Sequence, residues 1–360
     1  MKKILAIALV AVILLSVVGC SGSNTQVDIN AAAGAGAGQT NLVHGDFIYA
    51  VNEDGNYEIT GYTYTGAADK AVVIPDEIGG RPVTGIADSA FKSVSTMSAV
   101  TLPKSLEYIS ASAFYGCDIL KSVEIPATVL SIGENAFWGC TSLEAVTFAE
   151  NSALTEIGKY AFFGCTSLKK MSIASALTSV SDGAFYGCTS LTEVALPATV
   201  ESIGASAFSG CNTLQKLTFA EGCVLKSIGT SAFSGCSALT GLLLPTTLEV
   251  IGENAFFRCA ALTDIVVPAS LKTVKNGAFS ECANLEKVTF LGDKIDIGND
   301  AKKVIDDKDP DNVITTYYPD PDARLFVNSA KVTVVAPASS TAAEYANIAG
   351  IAYEAPAAAN

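Results

Sequence analysis

Histidine is almost absent from this chain: among 360 residues there is one, His44. Tryptophan also occurs once, as Trp138, and no two of the ten cysteines form a Cys-x-x-Cys pair. These absences remove the usual ligand sets of zinc sites and the Cys-His or Ser-His pairs of nucleophilic catalysis. Gly-x-Ser-x-Gly elbows, phosphate loops and dinucleotide fingerprints are missing too. Basic residues are few, 22 Lys and Arg against 36 Asp and Glu for a net charge of −14. They form no cluster, which argues against a nucleic-acid partner. Outside residues 4–18 no apolar run approaches the length of a membrane span. The sequence therefore predicts a non-enzymatic protein with no cofactor.

What is present begins with a leader. Met1-Lys2-Lys3 precedes the apolar run, and Val17-Val18-Gly19-Cys20 follows it. Two lysines, about 15 apolar residues and a small residue read as a secretory signal. The last four residues resemble a bacterial lipobox, which implies cleavage before Cys20 and a lipid on its sulfur. Residues 1–19 are then a signal peptide, and residues 20–40, rich in Ser, Ala and Gly, a flexible tether.

Self-similarity governs the rest. Nine copies of one pattern align on Phe91, Phe114, Phe137, Phe162, Phe185, Phe208, Phe233, Phe256 and Phe279, at spacings of 23, 23 and 25 residues that recur. Both long copies lengthen at the same place, "TFAENSALTEIG" from Thr147 and "TFAEGCVLKSIG" from Thr218. In the copy around Phe208 the apolar positions are Leu191, Val194, Leu196, Val200, Ile203 and Ala207. Leu-x-x-Val-x-Leu-Pro reads as a short strand closed by Pro197, which lacks a backbone donor. Val-x-x-Ile-Gly then turns the chain, and Ala-Phe-x-Gly-Cys returns it. A single copy cannot fold: its buried side chains contribute roughly 1.5–3 kcal/mol each, while ordering costs about 1–2 kcal/mol per residue. Stacking on neighbours tips the balance.

The run "LTEVALPATVESIGASAFSGC" resembles the BspA-type leucine-rich repeat of bacterial surface proteins, over roughly residues 72–297. "VVIPDEIGGRPVTGIADSAF" resembles that family's opening repeat, and "VTVVAPASSTAAEYANIAGIAY" its closing segment. The resemblance implies a leucine-rich repeat solenoid of the α/β type, each rung a short parallel strand plus a turn or short helical return. It also implies adhesion, with host matrix proteins or other cells as ligands. The expected organisation is an N-terminal β cap (41–71), a nine-repeat array (72–298), an acidic insertion containing Pro and Tyr (299–331) and a C-terminal cap (332–360). Residues 47–64 alternate around Asp54-Gly55, a hairpin signal. Thr341-Ala-Ala-Glu344 is a capping-box pattern for a short helix ending at Gly350. In the insertion, Lys302 falls where phenylalanine is due, and residues 303–329 break the pattern.

Eight cysteines share one slot: Cys117, Cys140, Cys165, Cys188, Cys211, Cys236, Cys259 and Cys282, with Val94 there in the first copy. Exchange with valine points to a buried ladder of small side chains. The alternative is disulfides between rungs about 4.8 Å apart, against which stands the parallel direction of equivalent side chains. Cys223 matches Ser152 in the other long copy and is expected at the surface, reactive or inert.

Two surfaces are candidates for binding. Tyr115, Trp138, Phe163 and Tyr186 follow successive repeat phenylalanines, and Ser209, Ser234, Phe257 and Ser280 take the slot later. They either half-bury against the next turn or form a stripe for a protein or a sugar. On the strand face, Leu243 and Val266 form a small apolar step among polar residues. A weak metal-like stretch, Asp307-Lys-Asp309-Pro-Asp311-Asn312, lacks the glycine and glutamate of a calcium loop and reads as a solvated acidic loop. The expectation is an exported, lipid-anchored protein at the cell surface that binds an extracellular protein or glycan; a structural envelope scaffold is the alternative.

Overall fold

The computed structural model describes residues 42–173, 176–298, 301–306, 309–317, 325–329 and 332–356. Among them the chain is a parallel β-solenoid with one helix, Thr341–Ala349. A representative rung starts with the strand Glu193–Leu196, whose Val194 and Leu196 point inward and are 2% exposed. Pro197 ends it, and its carbonyl accepts the Val200 N–H at 3.3 Å to make the corner. The two-residue strand Ser202–Ile203 forms the second leg.

Both legs stack in register on their neighbours. In the first ladder Glu193–Leu196 pairs in parallel with Lys170–Ser172 and with Lys216–Phe219. In the second, Ser202–Ile203 pairs with Ser179–Val180 and Ser227–Ile228. The period-two alternation of the sequence thus becomes one buried and one outward column per leg.

The third leg takes the turn form of the expected return and not the short helix. The N–H groups of Ala207, Ser209 and Cys211 donate three residues back in their own rung, at 3.1–3.4 Å. Those of Ser206, Phe208 and Gly210 donate across to Thr230, Ala232 and Ser234 of the next rung, at 2.7–2.8 Å. A helix would keep all six bonds inside one segment. This alternation needs left-handed backbone at Ser206 (φ 54°) and Gly210 (φ 75°), and Gly at the second site adopts it without strain. The leg is therefore a chain of turns that doubles as a third ladder.

The repeat phenylalanines fill the centre. From Phe91 to Phe279 each ring stacks on the next with centroids 5.0–5.6 Å apart and planes within 9°. The column does not end at Phe279. Phe326 continues it at 6.0 Å, and Phe279 N–H donates to the Leu325 carbonyl at 3.0 Å. Residues 325–329 therefore complete one more turn of the array instead of belonging to the insertion, and Phe326 takes the place that the sequence spacing assigned to Lys302. The intervening chain includes the antiparallel pair Ala301–Asp306 and Asp309–Tyr317.

The ends are closed differently. Leu42–His44, Phe47–Val51 and Tyr57–Tyr62 form an antiparallel unit whose second turn carries Gly55 at φ 80°. Tyr57–Tyr62 then pairs in parallel with Arg81–Ile86 and starts the second ladder. At the other end the helix is capped one residue earlier than the sequence pattern indicated: the Ser340 hydroxyl accepts from Ala343 N–H, and Gly350 ends the helix in the left-handed region. Thr341 is free for another task, and its hydroxyl bonds both the N–H and the carbonyl of Ile295 at 2.8 Å, fastening the helix to the last rungs.

Candidate binding surfaces

The cysteine ladder is entirely inside. All eight side chains are 0% exposed and unpaired by disulfides. Each thiol donates to the carbonyl of the phenylalanine one rung back, from Cys117 to Phe91 at 3.1 Å through Cys282 to Phe256 at 3.1 Å. The same carbonyls already accept an N–H three residues on, as Phe114 does from Cys117 at 3.2 Å. The thiol thus satisfies the second lone pair of a buried oxygen, which valine cannot do. Val94 fills the slot where no repeat phenylalanine lies beneath. At the far end the Ser329 hydroxyl replaces the thiol and bonds the Phe279 carbonyl at 3.0 Å.

Burial pushes these thiols up, to about 12 at Cys117, Cys165 and Cys211 and to about 11 at Cys282, from an ordinary 9.0. They stay protonated at neutral pH and are poor nucleophiles. His44 sits exposed in the first strand of the cap, apart from this buried column. Among the described residues no group of three His, Cys, Asp or Glu side chains is placed to hold a metal. Asp307 and Cys20 lie outside the described residues, and Asp309 and Asp311 fall in the strand Asp309–Tyr317.

Cys223 is not at the surface. It is 8% exposed, as is its counterpart Ser152, although the two residues before each are exposed. The polar partner in the alignment was a misleading signal: Ser152 satisfies its hydroxyl locally, accepting from Leu154 N–H at 3.4 Å.

The aromatic stripe is a stack. Tyr115 and Trp138 have centroids 6.0 Å apart, Trp138 and Phe163 3.8 Å, Phe163 and Tyr186 4.8 Å, all with planes within 13°. Lys92 Nζ covers the outer side of Tyr115, 5.1 Å from the ring centroid. Tyr160, which sequence reasoning missed, stands edge-on to both Trp138 and Phe163, at 5.8 and 6.2 Å. Its signal was present: a tyrosine in a left-handed slot (φ 55°) that Ser112, Asn135, Ser206 and Ser231 hold elsewhere. A Cβ on Gly183 would collide with that ring, so glycine on the next rung makes room for it. The first three rings are half-buried, whereas Tyr186 is 39% and Tyr160 36% exposed. Tyr186 alone in the row has a face that no ring or cation covers among the described residues.

On the strand face Leu243 and Val266 are adjacent in register, and they are 79% and 41% exposed.

The chain resembles several solved structures. A T. pallidum leucine rich repeat protein is 31% identical with a TM-score of 0.50, over 55% of this chain and 90% of that one. A leucine rich cell surface protein of Faecalibacterium prausnitzii A2-165 is 23% identical with a TM-score of 0.50, over 88% of this chain and 95% of that one, and shows the fold. The pneumococcal vaccine antigen PcpA is 18% identical with a TM-score of 0.39, over 89% of this chain and all of that one. No curated protein matches. The BspA type leucine rich repeat region matches residues 84–199 and 178–303 in six copies. That match covers more than half of the sequence and agrees with the stacked rungs; the chain belongs to the BspA-type leucine-rich repeat family.

Proposed function

We propose that this is a lipid-anchored, non-enzymatic surface protein that binds an extracellular partner through the aromatic stack. The observation that carries the reading is the exposed end of that stack. Tyr186 offers an open ring face beside Ser209, and Tyr160 stands edge-on to Phe163, the ring beneath Tyr186. Exposed aromatic groups on a rigid support are favoured contacts because little side-chain entropy remains to be lost. Within the stack the rings cover each other's faces and leave mainly their edges, which suits apolar protein side chains better than sugars. A sugar that stacks needs a face, and Tyr186 is where one is offered. The resemblance to a cell surface protein of F. prausnitzii supports display outside the cell. Anchoring through Cys20 rests on the lipobox-like residues before it.

The test is binding of the full chain and of Tyr160→Ser/Tyr186→Ser to panels of matrix proteins and glycans. Serine is already used next to the stack at Ser209, so folding should persist. A ligand held by the parent and lost by the double variant supports the reading. Binding unchanged by the substitutions moves the site elsewhere, and a lack of any ligand favours an envelope-scaffold role.

A further inference from the structure

The strand face carries a charge pattern that is its own complement. Outward from the first ladder, one column runs Lys170, Glu193, Lys216, Gly241, Asp264, Lys287 and Thr333, one residue per rung. The register passes from Lys216 to Gly241 through the Thr240 N–H, which donates to the Gln215 carbonyl at 3.2 Å. All five charged side chains are exposed, and none forms an ion pair among the described residues. By contrast Glu201, Glu249 and Glu281, on the other legs, are each paired with a cation on a neighbouring rung at 2.7–2.9 Å. Within two rungs of Gly241 the column is antisymmetric: Lys216 one rung before is balanced by Asp264 one rung after, and Glu193 two rungs before by Lys287 two rungs after, while Lys170 on the third rung before answers to the neutral Thr333.

The column beside it is uncharged: Ala195, Thr218, Leu243, Val266 and Thr289. Leu243, 79% exposed, is its centre. Gly241 leaves space next to it, having no side chain.

We propose that two copies of this chain pair through this face, about a twofold axis lying along the strand direction between the two Leu243 side chains. Such an axis reverses the order of rungs but keeps the two columns facing themselves. Lys216 then meets Asp264 of the second copy, and Glu193 meets Lys287, each contact occurring twice because the interface is isologous. Thr218 meets Val266 and Ala195 meets Thr289, pairs small enough to let two sheet faces approach to about 10 Å. A second copy in this orientation offers each of these charges an opposite one across the face. This pairing leaves the aromatic stack on the third leg open and does not depend on that stack's function.

The test is sedimentation equilibrium of the full chain in detergent, at low and high salt, with a charge-swap series. The parent should dimerise reversibly and more tightly at low salt. Lys216→Asp and Asp264→Lys should each weaken dimerisation by about tenfold, since both copies of a contact turn repulsive. The double variant Lys216→Asp/Asp264→Lys should recover it, because the reversed charges again oppose each other. Leu243→Asp should leave a folded monomer. A parent that is monomeric at all concentrations overturns the proposal. So does a dimer indifferent to the single changes, or a double variant no tighter than either single.

Discussion

The Cys165 thiol donates to the Phe137 carbonyl at 3.2 Å, and that oxygen also accepts the Cys140 N–H at 3.2 Å. Each ladder cysteine is thus a donor as well as a filler, and the two roles separate by substitution. Cys165→Ala removes the donor and opens a small void, for an expected loss of about 1–2 kcal/mol. Cys165→Ser keeps a donor, as Ser329 does naturally, and should cost less than Ala. Urea denaturation of the three proteins checks the order.

The ladder also sets a pH limit. An unfolded thiol titrates near the ordinary 9.0, whereas Cys117, Cys165 and Cys211 in the fold hold their protons to about 12. The native state therefore binds more protons than the unfolded one above pH 9. The stability from this source is complete below that point and is lost as pH rises toward the folded values. Every ladder thiol that keeps its proton in the fold steepens this loss, and the eight act in the same direction. Thermal melts should show little change from neutral pH to about pH 8.5 and a steep fall beyond, shallower in Cys165→Ser.

Phe185 lies mid-column, stacked at 5.4 Å on Phe162 and 5.2 Å on Phe208. Phe185→Ala should cost about 3–5 kcal/mol. Because each rung contacts only its neighbours, the damage should also uncouple the two halves. Two separated urea transitions in place of one would show it.

Glycines at two repeat positions should respond unequally. A Cβ on Gly229 would lie 2.6 Å from the Gly204 backbone, one rung back, where nothing can rotate away. At Gly139 there is open space and only a positive φ of 69°. Gly139→Ala should therefore cost about 1 kcal/mol, and Gly229→Ala clearly more, measured as shifts in the denaturation midpoint.

Trp138 reports on the aromatic stack, its faces closed by Phe163 at 3.8 Å and Tyr115 at 6.0 Å. Acrylamide should quench its fluorescence only moderately. Phe163→Ser should raise the quenching constant about twofold or more by opening one face, whereas Tyr186→Ser, two rungs on, should leave it nearly unchanged.

Chain order alone was enough for the repeat period and the buried cysteine slot, since both are periodic and periodicity survives without coordinates. It was not enough for Phe326 and Ser329. They complete the array only because the inserted chain returns to the same stacking axis, and no spacing rule marks that return. Cys223 was misplaced for a related reason: a polar residue in an aligned slot suggests exposure only if no local partner exists, and Ser152 has one in the Leu154 N–H.

What the sequence by itself determined is the solenoid, because a pattern repeated nine times offers each rung one kind of partner, its own neighbour. What the tertiary structure decided is everything that depends on contacts between rungs. The thiols find carbonyls 26 or 28 residues back. The third leg becomes turns because its N–H groups are satisfied by the next rung rather than within a helix. Tyr115, Trp138, Phe163 and Tyr186 close on one another and leave one face at the end. Lys216 and Asp264, two rungs apart, acquire a relation through the register of the strands. Those are distances across the stack, and the linear order contains no distances.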